Sequence, residues 1–214
     1  MQYKKQLLEQ EYKTREEALL QVSRDLHDDI GSSLSGINML SQLAQEQFAQ
    51  PCNGNAKELI QKINIYTTEV IEKVGDMAWL LKPNQESLSI LIKKVKVYAT
   101  ESALSKNVLL HFDNNSEIAG RELTIQERKT IYLVSKEAIN NAIKYSLCKN
   151  IFYNLDSTGD KVKLVIKDDG EGFTVSETIN GNGLTNMKAR AAEIGASLDI
   201  QSRPGEGTII TLEF

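Results

Sequence analysis

Residues 136–144 read K-E-A-I-N-N-A-I-K, and two short motifs follow in order: D-D-G-E-G-F at 168–173 and G-N-G-L at 181–184. The first lies in an apolar rhythm that predicts a long helix over Thr124–Ser146, with Ile131, Val134, Ala138 and Ala142 on the stripe facing a core. Glu137 and Asn141 stand four apart, and Lys144 follows at the seventh position, so the three project from one further stripe. An Asn carbonyl oxygen is a hard ligand suited to Mg²⁺, and Lys144 is a cation of the kind that meets phosphates. A solvated helix face has the same composition, so the neighbouring motifs decide between the two readings.

Asp168-Asp169-Gly170-Glu171-Gly172 follows directly on the apolar run Val162–Ile166. A carboxylate at a strand end can accept a hydrogen bond from an adenine amino group, while Gly170 and Gly172 let backbone approach a base with no Cβ in the way. A plain hairpin turn is the bland alternative, against which the apolar Phe173 weighs. Gly181 and Gly183 bracket Asn182 just before a helix beginning near Leu184, and the free N–H groups of a helix start suit an anion. The polar stretch Thr174–Asn180 between the glycine motifs reads as a lid over phosphates. No G-x-x-x-x-G-K-[ST] loop competes for that role. The three motifs together are expected to hold ATP with Mg²⁺.

Working outward, Glu86–Ser105 is predicted helical, Val108–Phe112 a strand, and Asn150–Asp156 with Lys161–Lys167 a hairpin. Leu184–Ile194 is a further helix, and Ser197–Ser202 with Gly207–Phe214 a closing hairpin. Helices on one face of a mixed sheet give an α/β sandwich, placed over residues 84–214. Residues 1–83 differ in kind. Apolar residues recur at helical spacing from Leu19 to Phe48 and again from Leu59 to Leu81, with turn residues over Pro51–Asn55. That pattern predicts a long antiparallel helical hairpin, and pairing with a second copy into a four-helix bundle would bury its exposed seam. The fold class is α+β, a helical hairpin followed by the sandwich, and the chain is expected to form a homodimer.

His27, in R-D-L-H-D-D-I-G at 24–31, sits at the edge of the first apolar stripe. A carboxylate beside it, Asp28 or Asp29, can hold one imidazole nitrogen and strengthen the other as a nucleophile. With a nucleotide site on the same chain, His27 is expected to accept a phosphoryl group. His111, in the expected strand Val108–Phe112, reads as structural.

Composition bounds the alternatives. The 29 acidic and 25 basic residues leave a net charge of −4 over 214 residues, which argues against nucleic acid or an anionic membrane surface as partner. Cys52 and Cys148 show no metal-ligand or disulfide spacing. The longest apolar runs are far too short to span a bilayer, and a cytoplasmic segment is expected.

The motif set, with D-L-H-D at 25–28, resembles the cytoplasmic core of bacterial two-component sensor histidine kinases, in the subfamily that includes the nitrate sensors and the thermosensor of lipid desaturation, with an ATP-binding domain of the GHKL type. The resemblance spans nearly the whole chain. It implies that His27 takes the γ-phosphoryl group of ATP with Asp28 orienting or deprotonating it, and that Asn141 coordinates Mg²⁺ beside Glu137 and Lys144. It further implies Asp168 on the adenine amino group, Gly170 and Gly172 lining the base pocket, Gly181 and Gly183 flanking the lid, and Thr208 assisting Asp168. Residues 82–86 would be the hinge, an aspartate on a response-regulator receiver domain the next acceptor, and a membrane sensor could precede the segment. Relatives that also dephosphorylate their response regulator commonly have Gln or His where this chain has Ser32, and the resemblance leaves phosphatase activity open. Two rivals remain: an ATPase or Ser/Thr protein kinase on the same GHKL fold, which would not need His27, and a non-catalytic dimeric adaptor.

Overall fold

The computed structural model describes residues 13, 16, 20, 24, 30–46, 56–82, 87–104, 106–114, 120–158, 161–175 and 182–214. The chain divides into two compact units, Met1–Lys82 and Pro83–Phe214.

In the first unit, helix α1 covers residues 30–46, and 13, 16, 20 and 24 are helical too. Helix α2 is Ala56–Leu80, 25 residues long. Lys73 Nζ donates to Ser33 Oγ at 3.4 Å and ties the two helices together. Ala44 is buried, whereas Leu34, Met39, Ile60, Ile65 and Ile71 remain exposed. The expected turn at 51–55 and the segment 25–29 lie outside the described residues.

The second unit carries helices α3 (Leu88–Leu104), α4 (Ile125–Tyr145) and α5 (Asn182–Glu193) and strands β1 (Leu109–Asn114), β2 (Asn150–Thr158), β3 (Lys161–Asp168), β4 (Ser197–Arg203) and β5 (Gly207–Glu213). The sheet order is β1-β2-β3-β5-β4. The β1–β2 pair is parallel, joined across α4, and the other pairs are antiparallel. The mixed sheet is therefore as expected, with β1 reaching two residues beyond Phe112.

Two local features place the site. Helix α4 starts at a capping box: Thr124 Oγ1 accepts from the Glu127 N–H at 3.2 Å, and Glu127 Oε2 accepts from the Thr124 N–H at 2.8 Å. Its Ile131, Val134, Ala138 and Ala142 are buried, as the period of the sequence requires. Strand β3 alternates strictly, so Val162, Leu164, Ile166 and finally Asp168 all point inward. The last inward position of an apolar row is thus a carboxylate, which the alternation delivers to the end of the core rather than to solvent.

Candidate nucleotide site

A cavity of about 480 Å³ opens among α4, the inner face of the sheet and the start of α5. Glu137, Asn141, Asp168, Gly172, Gly183 and Thr208 line it, six of the residues singled out in the sequence. Its other walls are mainly apolar, from Ala138, Ala142, Ile166, Phe173, Leu184 and Ile210. A mostly apolar cleft with a few convergent polar groups is the usual form of a small-molecule pocket.

Asp168 is buried at the floor. Burial pushes its carboxyl above the usual range, opposed chiefly by the Gly170 N–H, which donates to Oδ1 at 2.9 Å, and further by the Ser146 hydroxyl and the Thr208 N–H. The one hydroxyl proton of Ser146 serves either this carboxylate or the Ala142 carbonyl oxygen, 2.7 Å away. Asp169, one residue on, faces outward and is exposed. It accepts from the N–H groups of Lys149 and Asn150, both at 2.8 Å, and from Asn150 Nδ2 at 2.7 Å. These bonds, the Asn150 side chain first, hold its carboxyl below the usual range. Two adjacent aspartates thus carry opposite shifts, one a pocket group and the other a clamp between strand ends.

On α4, Asn141 Nδ2 donates to Glu137 Oε1 at 3.2 Å. With the amide nitrogen so committed, the carbonyl oxygen of Asn141 is the atom left for a cation. One amide oxygen and a nearby carboxylate suit Mg²⁺, which takes most of its remaining ligands from water and phosphate. The donor set therefore fits the expected metal.

Gly170 and Gly172 are needed by the chain itself, each standing against main-chain atoms, whereas Gly183 meets only the end of a flexible side chain. A Cβ on Gly183 would run into the Glu137 carboxylate, so the start of α5 closes directly on α4 at the cavity. Gly172, at φ +60°, would clash with the Arg203 carbonyl oxygen. Gly170 lies against Ser146 and does not line the cavity, so its smallness serves the contact between two loops rather than a base. Lys144 is exposed and likewise not among the lining residues. His27, Asp28 and Gly181 lie outside the described residues. The sequence reading missed Tyr145 and Ser146, which line the cavity one and two positions past Lys144.

Residues 20–86 match the family described as histidine kinase, and residues 126–214 match the family described as histidine kinase-, DNA gyrase B-, and HSP90-like ATPase. The signal transduction histidine-protein kinase/phosphatase UhpB of Salmonella typhimurium is 28% identical over 207 residues, 96% of this chain and 41% of UhpB. The kinase/phosphatase DegS of Bacillus subtilis is 26% identical over 204 residues, 93% of this chain and 53% of DegS. This chain belongs to the two-component sensor histidine kinases.

Sensor histidine kinases are ATP-dependent protein-histidine kinases. The Acinetobacter baumannii histidine kinase AdeS shares the fold, with a TM-score of 0.58 at 16% identity, covering 88% of this chain and 96% of the AdeS chain. The chain spans about half the length of the curated relatives it matches. Among its described residues, no helix is long and apolar enough to cross a membrane.

Proposed function

We propose that this chain is a cytoplasmic kinase core that phosphorylates its own His27 from Mg-ATP and hands the phosphoryl group to an aspartate of a response-regulator receiver domain. In this reading residues 1–83 form the dimerising phosphotransfer hairpin and residues 84–214 bind the nucleotide. The observation that carries it is the convergence of Glu137, Asn141, Asp168, Gly183 and Thr208 on one largely apolar cavity.

Asp168 accepts from the adenine amino group, with Thr208 beside it, and the apolar walls take the faces of the base. Asn141 holds Mg²⁺ through its carbonyl oxygen, and Glu137 fixes that amide by accepting from its nitrogen. Bound Mg²⁺ supplies charge neutralisation on the phosphate oxygens. Gly181 and Gly183, flanking the lid, give backbone N–H groups near the phosphates, while Lys144 contributes charge from the rim. Phosphoryl transfer needs little beyond placement and charge stabilisation. A neutral His27 nitrogen attacks the γ-phosphorus as the bond to the bridging oxygen breaks, ADP leaves, and Asp28 holds the proton on the far nitrogen.

Incubation with γ-labelled ATP tests this. Wild type is expected to gain acid-labile, base-stable label, and His27→Gln to lose it entirely while binding nucleotide with unchanged affinity. Wild-type labelling in that variant would remove His27 from the scheme.

A further inference from the structure

The Asp169 clamp continues outward. Asp169 only accepts, so Asn150 must turn its amide nitrogen toward it, at 2.7 Å, which leaves Asn150 Oδ1 facing His111 Nε2 at 2.9 Å. That oxygen needs a donor, so His111 carries a proton on Nε2. The His111 ring is itself held, stacked on Phe152 with centroids 4.6 Å apart and planes 15° from parallel. A directed row of hydrogen bonds therefore runs from the edge strand β1, through Asn150 at the start of β2, to the residue adjoining Asp168.

We propose that Asn150 and His111 are positioning residues for the base carboxylate: by fixing Asp169, they set where Asp168 stands in the pocket. The proposal rests on the reading of Asp168 as the adenine acceptor. Asp168 ends β3, and the turn that follows is tied on its other side to the β4–β5 turn, where the Glu171 carbonyl oxygen accepts from the Gly205 N–H at 2.6 Å and the Phe173 N–H donates to Ser202 Oγ at 2.9 Å. The Asp169 N–H reaches the Asn150 carbonyl oxygen only at 3.3 Å, and Glu171 N–H donates to the Ser146 carbonyl oxygen at 2.7 Å. The Asp169 carboxylate, taking three donors at once, is the strongest tie across the β2–β3 ends. It fixes the peptide whose next N–H, on Gly170, bonds Asp168 itself. Loosening Asn150 frees that peptide to rotate and leaves the inward carboxylate without a defined direction. The role of an Asn at the start of a strand could not be read from the D-D-G-E-G motif, because the motif does not say which strand end Asp169 meets.

The test compares ATP with purine riboside triphosphate, which lacks the 6-amino group, on the whole chain. Wild type is expected to prefer ATP. In Asn150→Ala, ATP affinity should fall about tenfold, the size expected for losing an aligned bond to a charged group, while the amino-free nucleotide changes less than about twofold. His111→Phe keeps the ring stack and loses the donor, and should shift the same ratio in the same direction by about threefold. A merely structural role would weaken both nucleotides alike. An unchanged ratio in both variants overturns the proposal. If wild type shows no preference for ATP, the reading of Asp168 fails instead, and the proposal with it. His111→Phe lies on an exposed edge and decides the matter alone if Asn150→Ala does not fold.

Discussion

The two units bury their apolar residues in opposite ways. In Pro83–Phe214, Ile131, Val134, Ile139, Leu164 and Leu212 are at most 1% exposed, drawn together by a sheet and the helices on its inner face. In Met1–Lys82, Ile71 on α2 is 66% exposed and Met39 on α1 64%. A sandwich closes its own core, whereas two helices offer each other one stripe apiece and leave the other flanks wet. Stability in the first case belongs to the chain, whereas a hairpin that buried its flanks against a second copy would have a stability that depends on concentration. This is the physical ground for proposing that the hairpin pairs with a second copy.

A charge on the outer flank gives the largest expected break in that comparison. Ile71→Glu should weaken self-association by roughly a thousandfold, because two-fold symmetry places the new carboxylate in the seam twice. Sedimentation equilibrium measures this directly. Nucleotide affinity should stay at the wild-type value, since every lining residue of the cavity belongs to the other unit. A dimer as tight as wild type would place the pairing surface elsewhere.

Within the second unit the next largest effect belongs to Gly172. Alanine there meets both the φ of +60° and the Arg203 carbonyl oxygen, and should cost about 2–4 kcal/mol, lowering the melting temperature of this unit alone. A melting temperature within 2 °C or so of wild type, well below the shift expected for even 1 kcal/mol, would show that the loop relaxes.

The same position shows how far sequence reading carries. Glycine was legible at 172 as a requirement for close backbone approach, but whether base or chain made the approach was not, because the partner at Arg203 is 31 residues away along the chain. The place of Asp168 at a strand end was legible from the apolar run before it, but the division of labour with Asp169 was not, because it depends on which loop the next residue meets. Helical spacing put Glu137 and Asn141 side by side, as they stand. It also put Lys144 with them. The lining stripe, however, is Glu137, Ala138, Asn141, Ala142 and Tyr145, so its centre is turned away from Lys144, which falls on the flank.

The smallest effect sharpens the contrast through a helix end. Thr124 and Glu127 satisfy each other's backbone N–H groups at the start of α4, the helix that carries Glu137 and Asn141. Thr124→Ala removes the acceptor for the Glu127 N–H while the Thr124 main-chain bond to Glu127 survives, so the loss should be about 1 kcal/mol, a shift of a few degrees in melting temperature. Glu137 lies more than three turns along α4 from the cap, and a frayed first turn does not reach it. The variant should therefore melt earlier at every protein concentration and still bind nucleotide as tightly as wild type at 25 °C. Weakened binding would mean that the first turn of α4 helps set the cavity and that stability and site in this unit are coupled more closely than the helix geometry indicates.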